Sequence, residues 1–178
     1  YRLALRIGGE VLGLEQFELG HGRGSSQDHS RIIRLSYHTP AYVELAKHAY
    51  TAWREVEADA GEQLVFTTGG LDLWPAEPAY PMSDYTGSMA ACGVAYETLT
   101  AAEVMYRWPQ FRLTDDITGI FQAEGGIATP NLSNAAHRRL ALANGATIRD
   151  IAPVSSVRPV GDEIEIEAGG TLYRCRRL

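Results

Sequence analysis

The sequence predicts a mixed α/β fold, in which strand–helix–strand units carry an inserted and partly antiparallel sheet. Three observations point there. The run Val11-Leu12-Gly13-Leu14, entered from a segment that stops at Gly8-Gly9 and closed by Glu15, has the apolar continuity of a buried parallel strand. Two stretches, 42–60 and 132–143, repeat apolar residues at intervals of three and four, and the second leads into a strand-like run at 146–151. Short β-favouring runs at 63–67, 70–74 and 117–122, and a meander at 154–158, 163–167 and 171–175, supply the remaining strands.

Composition narrows the class. The chain has 178 residues, 45% of them hydrophobic and 21% charged, with a net charge of −6. That suits one domain or parts of two and excludes wholesale disorder and fibrous proteins. The acidic balance counts against nucleic-acid binding. No apolar run approaches the ~20 residues a membrane-spanning helix needs, so no membrane partner is expected. Two cysteines, Cys92 and Cys175, in no metal spacing imply a reducing, cytoplasmic setting without a disulfide framework. Oligomeric state leaves no signal. The chain begins at Tyr1 rather than Met and stops at Leu178 after a charged run, which suggests a piece of a longer protein.

Each element has a local reason. Residues 1–7 carry apolar side chains at helical spacing, and Gly8-Gly9 ends that turn. From Phe17 to Ser30 the glycines and short polar residues predict a long loop, of the kind that is often functional. Arg31 to Leu35 is short and β-favouring. The helix over 42–60 places Val43, Ala46, Ala49, Tyr50, Trp53 and Val56 on one face, and Gly61 stops it. The runs 63–67 and 70–74, joined near Thr68-Gly69, are expected to form a hairpin. A loop and a short helix are expected over 75–93. A helix is expected over 98–106, with Thr100 and Glu103 as a capping box and Trp108-Pro109 as its stop. The helix over 132–143 is entered from Thr129-Pro130-Asn131 and left at Asn144-Gly145.

Two features could carry chemistry. An acid that closes the second strand of a dinucleotide-binding unit hydrogen-bonds a ribose hydroxyl; Glu15 holds that place, or is a solvated loop carboxylate. The glycine-rich turn of such a unit would lie about 20 residues earlier, before Tyr1. In Gly24-Ser25-Ser26-Gln27-Asp28-His29-Ser30-Arg31-Ile32-Ile33-Arg34, the forked guanidinium of an arginine suits a carboxylate. A second arginine suits an anionic cofactor or developing negative charge. Alternatively both arginines pair with structural carboxylates. The five histidines have no helix-spaced metal pattern, and Gly24-Ser25-Ser26 does not make a serine-hydrolase elbow.

These residues resemble the monomeric sarcosine oxidase and N-methyltryptophan oxidase family of FAD-dependent amine oxidases. The likeness rests on Leu12 to Phe17, on Gly24-Ser25-Ser26 and on Ser30-Arg31-Ile32-Ile33-Arg34. It continues in Tyr42-Val43, Trp53, Thr68 to Leu71, Arg107-Trp108-Pro109, Gly125-Gly126 and Asn144-Gly145-Ala146. The resemblance implies that Glu15 meets the ribose of FAD, that Ser25, Ser26, Ser30 and Arg31 contact the cofactor, and that Val154 offers a backbone contact near the adenine. Arg31 would be catalytic, stabilising negative charge on the reduced ring. Arg34 would hold the substrate carboxylate, and Gln27 would face the substrate where the family often has histidine.

The implied architecture is a Rossmann-like FAD-binding domain from residues 1–60 and 130–178, with a mixed-sheet substrate domain at 61–129, both incomplete. The implied reaction oxidises a secondary or N-methyl amino acid to an imine, with molecular oxygen as acceptor and hydrogen peroxide as product. A truncated, non-catalytic product, at most an interaction surface or weak nucleotide-binding module, is the alternative. A nicotinamide-dependent dehydrogenase leaves the Arg31 and Arg34 run unexplained.

Overall fold

The computed structural model describes residues 1–178 and divides into two compact units. The first comprises Tyr1–His29 and Pro130–Leu178, the second Ser30–Thr129.

In the first unit, α1 (Arg2–Ile7) ends at Gly8 and is followed by a single 3₁₀ turn. Strand β1 (Leu12–Leu14) then pairs parallel with β8 (Thr147–Arg149), Leu12 lying opposite Thr147. Parallel neighbours require a crossover, and the helix that leads into β8 is α5 (Pro130–Ala143). It stops where the sequence expects. Gly145 takes a positive φ of 85°, its N–H donates to the Leu142 carbonyl, and the Ala146 N–H donates to the Ala141 carbonyl. This pair of bonds satisfies two of the last carbonyls of the helix. Ala4, Ala141 and Ala146 form a small core here, flanked by Tyr1, Val11 and Ile148. The expected burial of β1 is not met: Leu12 is 40% exposed, because the parallel sheet has only two strands and β1 has one covered edge.

The meander is present as expected. Strands β9 (Val154–Val160), β10 (Glu163–Ala168) and β11 (Thr171–Cys175) make an antiparallel sheet with β10 central. Glu165 sits at its middle with a side chain only 9% exposed, gripped by Arg158 at 2.7 Å and by Nε and Nη2 of Arg174 at 3.1 and 2.7 Å. A carboxylate can be this covered in a strand because both oxygens are charge-paired.

The second unit contains two three-stranded sheets. In one, β7 (Gly126–Ala128) lies between β2 (Arg31–Ile33) and β3 (Val65–Thr67); in the other, β6 (Thr118–Gln122) lies between β4 (Gly70–Trp74) and β5 (Glu97–Thr100). The expected hairpin of the 63–67 and 70–74 runs is therefore absent. These two strands run on from each other rather than back. β3 pairs with β7 and β4 with β6, and the ladder bends where the Thr68 and Gly69 amides both donate to the Gly125 carbonyl. Gly69 has φ 79°, and Cβ atoms at Gly69 or Gly125 would run into the Phe121 ring or the Gly70 backbone. Strand β7 gave no sequence signal, being three residues long with a glycine at its start.

Helix α2 (Pro40–Ala60) packs the predicted face: Val43 joins Leu35, Met89, Val94 and Ile120 in the main core, with Ala46 and Tyr50 against it. At its far end Gly61 is left-handed, and the Glu57 carboxylate accepts from the Leu64 and Val65 amides at 2.7 and 2.8 Å, which fixes the entry into β3. Helix α3 (Met82–Ala91) occupies the expected loop-and-helix region. Helix α4 (Ala101–Arg107) starts later than expected, because Thr98 to Thr100 complete β5. Its capping box is present: Thr100 Oγ1 accepts from the Glu103 amide, and Glu103 accepts from the Thr100 amide at 2.8 Å. Through the core around Val43, α2 belongs to the same compact unit as the inserted sheets, and the boundary between units falls after His29.

Candidate functional site

The carboxyl ends of β1 and β8 are where a parallel sheet presents ligand sites. There the two chain segments are tied together. The Glu15 amide donates to the Arg149 carbonyl at 2.8 Å, the Ala152 amide to the Glu15 carbonyl at 2.9 Å, and the Ile151 amide to the Phe17 carbonyl at 3.1 Å. Ile151 is held at φ 50°, a left-handed conformation rare for a β-branched residue. The result is that Val154 stands beside Glu15. Leu14, Glu15, Gln16, Ala152 and Val154 line a depression of about 290 Å³.

Glu15 also borders a larger cleft of about 500 Å³. One wall is the glycine-rich loop, through Gly20, His21, Gly24, Ser26 and Gln27. The other is one face of α5, where Asn131, Asn134, Ala135 and Arg138 follow helical spacing. The Asn134 side-chain amide donates to the Ser26 carbonyl and so fastens loop to helix.

The electrostatics centre on Glu15. Its Oε1 accepts from the Phe17 amide at 2.9 Å and lies 3.4 Å from His21 Nε2. These contacts, the Phe17 amide first, hold its carboxyl below the ordinary carboxylate value. Nδ1 of His21 accepts from the Arg23 amide at 3.0 Å, which leaves the imidazole proton on Nε2, aimed at Glu15. His21 packs edge-on against Phe17, and the Arg23 guanidinium lies over the Phe17 ring, 4.4 Å from its centre. A long loop is thereby folded around one ionised carboxylate.

Of the residues expected from sequence, Glu15 with Val154 share the small depression, and Glu15, Ser26 and Gln27 share the cleft. Ser25 precedes Ser26 in the same loop. Ser30, Arg31 and Arg34 belong to the second unit. There Arg31 Nη1 donates to the Ser30 carbonyl at 2.7 Å from the first position of β2. Arg34 follows β2 directly and pairs with Asp72 of β4 at 2.9 Å, its guanidinium 5.4 Å from the Tyr37 ring centre. The alternative of a structural carboxylate partner thus holds for Arg34. Sequence reasoning missed His21, Asn131, Asn134, Arg138 and Asp72. The available signals were the polar residues on one face of α5 and an aspartate inside an otherwise apolar strand.

In chemical terms, the depression offers a carboxylate for a vicinal diol, with apolar walls at Leu14, Ala152 and Val154 for a flat ring. That combination suits a nucleoside.

Comparisons with known proteins agree in one direction. The family described as FAD dependent oxidoreductase (DAO) matches residues 1–177. Monomeric sarcosine oxidase of Streptomyces avermitilis is 30% identical over 172 residues, covering 96% of this chain and 44% of that protein. N-methyl-L-tryptophan oxidase of Citrobacter koseri is 27% identical over 176 residues, covering 98% and 47%. Among solved structures, the open form of NikD, an amino acid oxidase essential for nikkomycin biosynthesis, superposes with a TM-score of 0.88 at 27% identity, covering 97% of this chain and 44% of that one. The chain thus spans a little under half the length of these relatives.

Proposed function

The chain belongs to the FAD dependent oxidoreductase family, and from that premise we propose that it is the part of an amine oxidase that binds the adenosine half of FAD and presents arginines to an amino-acid substrate. The observation that carries this reading is the meeting of Glu15 and Val154 in one depression at the carboxyl ends of β1 and β8. The donor set fits the group. Glu15 offers an oxygen to the ribose diol, Leu14, Ala152 and Val154 flank the base, and the Ser25–Gln27 loop supplies amides and hydroxyls beside it.

In this reading the unit of residues 1–29 and 130–178 contributes the FAD-binding part, and the unit of residues 30–129, with α2 included, the substrate part. FAD, when bound, would supply the hydride acceptor for the substrate carbon next to nitrogen. Arg31 supplies fixed positive charge at the start of β2, the property needed where negative charge develops. Arg34 binds the substrate carboxylate, and Gln27 hydrogen-bonds without titrating. The substrate is a secondary or N-methyl amino acid, a class the names of the relatives support, converted to an imine that water hydrolyses, with molecular oxygen reduced to hydrogen peroxide. Cys92 and Cys175 are both free thiols, in keeping with a reducing, cytoplasmic setting. No helix is long and apolar enough to cross a membrane.

The test uses the purified whole protein that contains this chain, loaded with FAD. Anaerobic N-methylglycine, or another N-methyl amino acid, should bleach the visible flavin band, and admitting air should restore it with release of peroxide. Glu15→Ala should weaken FAD binding about tenfold by loss of a charge-assisted hydrogen bond. Arg34→Ala should raise KM for the amino acid steeply. Bound flavin that no secondary amino acid reduces would sink the amine-oxidase reading, and an unchanged KM would remove Arg34 from the substrate site.

A further inference from the structure

Arg34 already holds a carboxylate, that of Asp72, and this bears on which ligands it can accept. Asp72 is the central residue of β4, its Cα opposite Ile120 of β6. Directly opposed residues in an antiparallel pair share a face, and Ile120 is fully buried in the main core. Asp72 therefore lies on the face of its sheet that carries Ile120 and the main core, and its side chain is only 22% exposed. Aspartate is disfavoured within strands, and a carboxylate so placed requires a partner. Arg34 is that partner. It is positioned by β2 on one side and by buried Leu35 on the other, and the Tyr37 ring lies against its guanidinium.

We propose that Asp72 is a specificity-determining residue that makes Arg34 select zwitterions over simple carboxylates; this deepens the assignment of Arg34 made above and rests on it. The pair uses one nitrogen, Nη1, and one oxygen, Oδ1. The rest of the guanidinium fork remains to grip a ligand carboxylate, and Oδ2 remains to accept from a ligand ammonium. A ligand with a carboxylate alone meets the negative charge of Asp72, or displaces it and leaves it half-buried without a cation. A ligand that carries both groups satisfies both residues. The inserted aspartate thus acts as a built-in competitor that only an amino acid can compensate.

The test is a binding titration of the purified, FAD-loaded protein with N-methylglycine and with acetate, followed by ligand-observed NMR so that turnover is not the readout. The wild type should bind N-methylglycine more tightly than acetate. Asp72→Asn, of nearly the same shape, should narrow the ratio about fivefold, mainly by tightening acetate, as expected for removal of a half-exposed ion-pair competitor. Asp72→Glu, which returns the charge, should restore the preference. Equal affinities in the wild type, or a ratio that Asp72→Asn leaves unchanged, would overturn the proposal even if one variant fails to fold. Arg34→Ala separates the two assignments. If it abolishes binding of both ligands, Arg34 is the carboxylate site. If it changes neither, the assignment of Arg34 falls, and the role of Asp72 with it, while the FAD-binding reading stands on Glu15 and Val154.

Discussion

Tyr50 is the side chain with the largest displaced titration. Burial first, then the Glu124 carboxylate and Tyr37, push its phenol up to about 12, while its hydroxyl donates to the Glu124 carbonyl at 2.8 Å. Because the raised value favours the protonated form, its contribution to stability is intact below the ordinary tyrosine range near 10 and fades as pH rises from there to about 12. A spectrophotometric titration should show a tyrosine step near pH 12, and Tyr50→Phe should remove that step. A titration with no step near pH 12 would show the helix face around Tyr50 to be wet. Glu15 has the opposite sign. Its lowered value means that the loop contacts of Phe17 and His21 persist above the ordinary carboxylate range and are lost as pH falls through the lowered value.

Among elements, the bend in the long ladder and the capping box of α4 make unequal demands. A Cβ on Gly126 would overlap the Phe66 carbonyl, a backbone atom that cannot swing away. Gly126→Ala should therefore cost about 3 kcal/mol, against about 1 kcal/mol for Thr100→Ala at the cap. Denaturant midpoints with matched slopes would rank the two, and the reverse order would mean that the bend opens freely. The same contrast explains what the sequence made legible. Helix α2, the cap at Thr100 and the meander from β9 to β11 are written in local periodicity and local hydrogen bonding, so each could be read from its own residues. The pairing of β3 with β7 depends on a segment about 60 positions away in the chain, and nothing in 63–74 distinguishes a bend from a hairpin. Glu15 was legible as a strand-closing acid. Its tie to Val154 through the Ala152 amide, and the Arg34–Asp72 pair, are products of tertiary approach.

At the scale of the whole chain, a core of the first unit and the main core of the second differ in make. Alanines dominate the one around Ala4, Ala141 and Ala146, whereas Leu35, Val43, Met89, Val94 and Ile120 fill the other. Smaller side chains bury less apolar area, so the first unit should open more readily. Native-state hydrogen exchange should find the amides of β1 and β8 less protected than those of β4 and β6, and added FAD should slow the former set alone. Equal protection throughout would indicate one cooperative unit and oppose the separate-core reading. The bend at Gly69 and Gly125 has a mechanical side as well. Arg34 rides with the sheet built on β7 and Asp72 with the sheet built on β6, so their 2.9 Å pair is a strut across the crease between two leaves of the same ladder. Opening or closing the crease stretches or slackens the strut, and a molecule that unseats the strut loosens the crease in return.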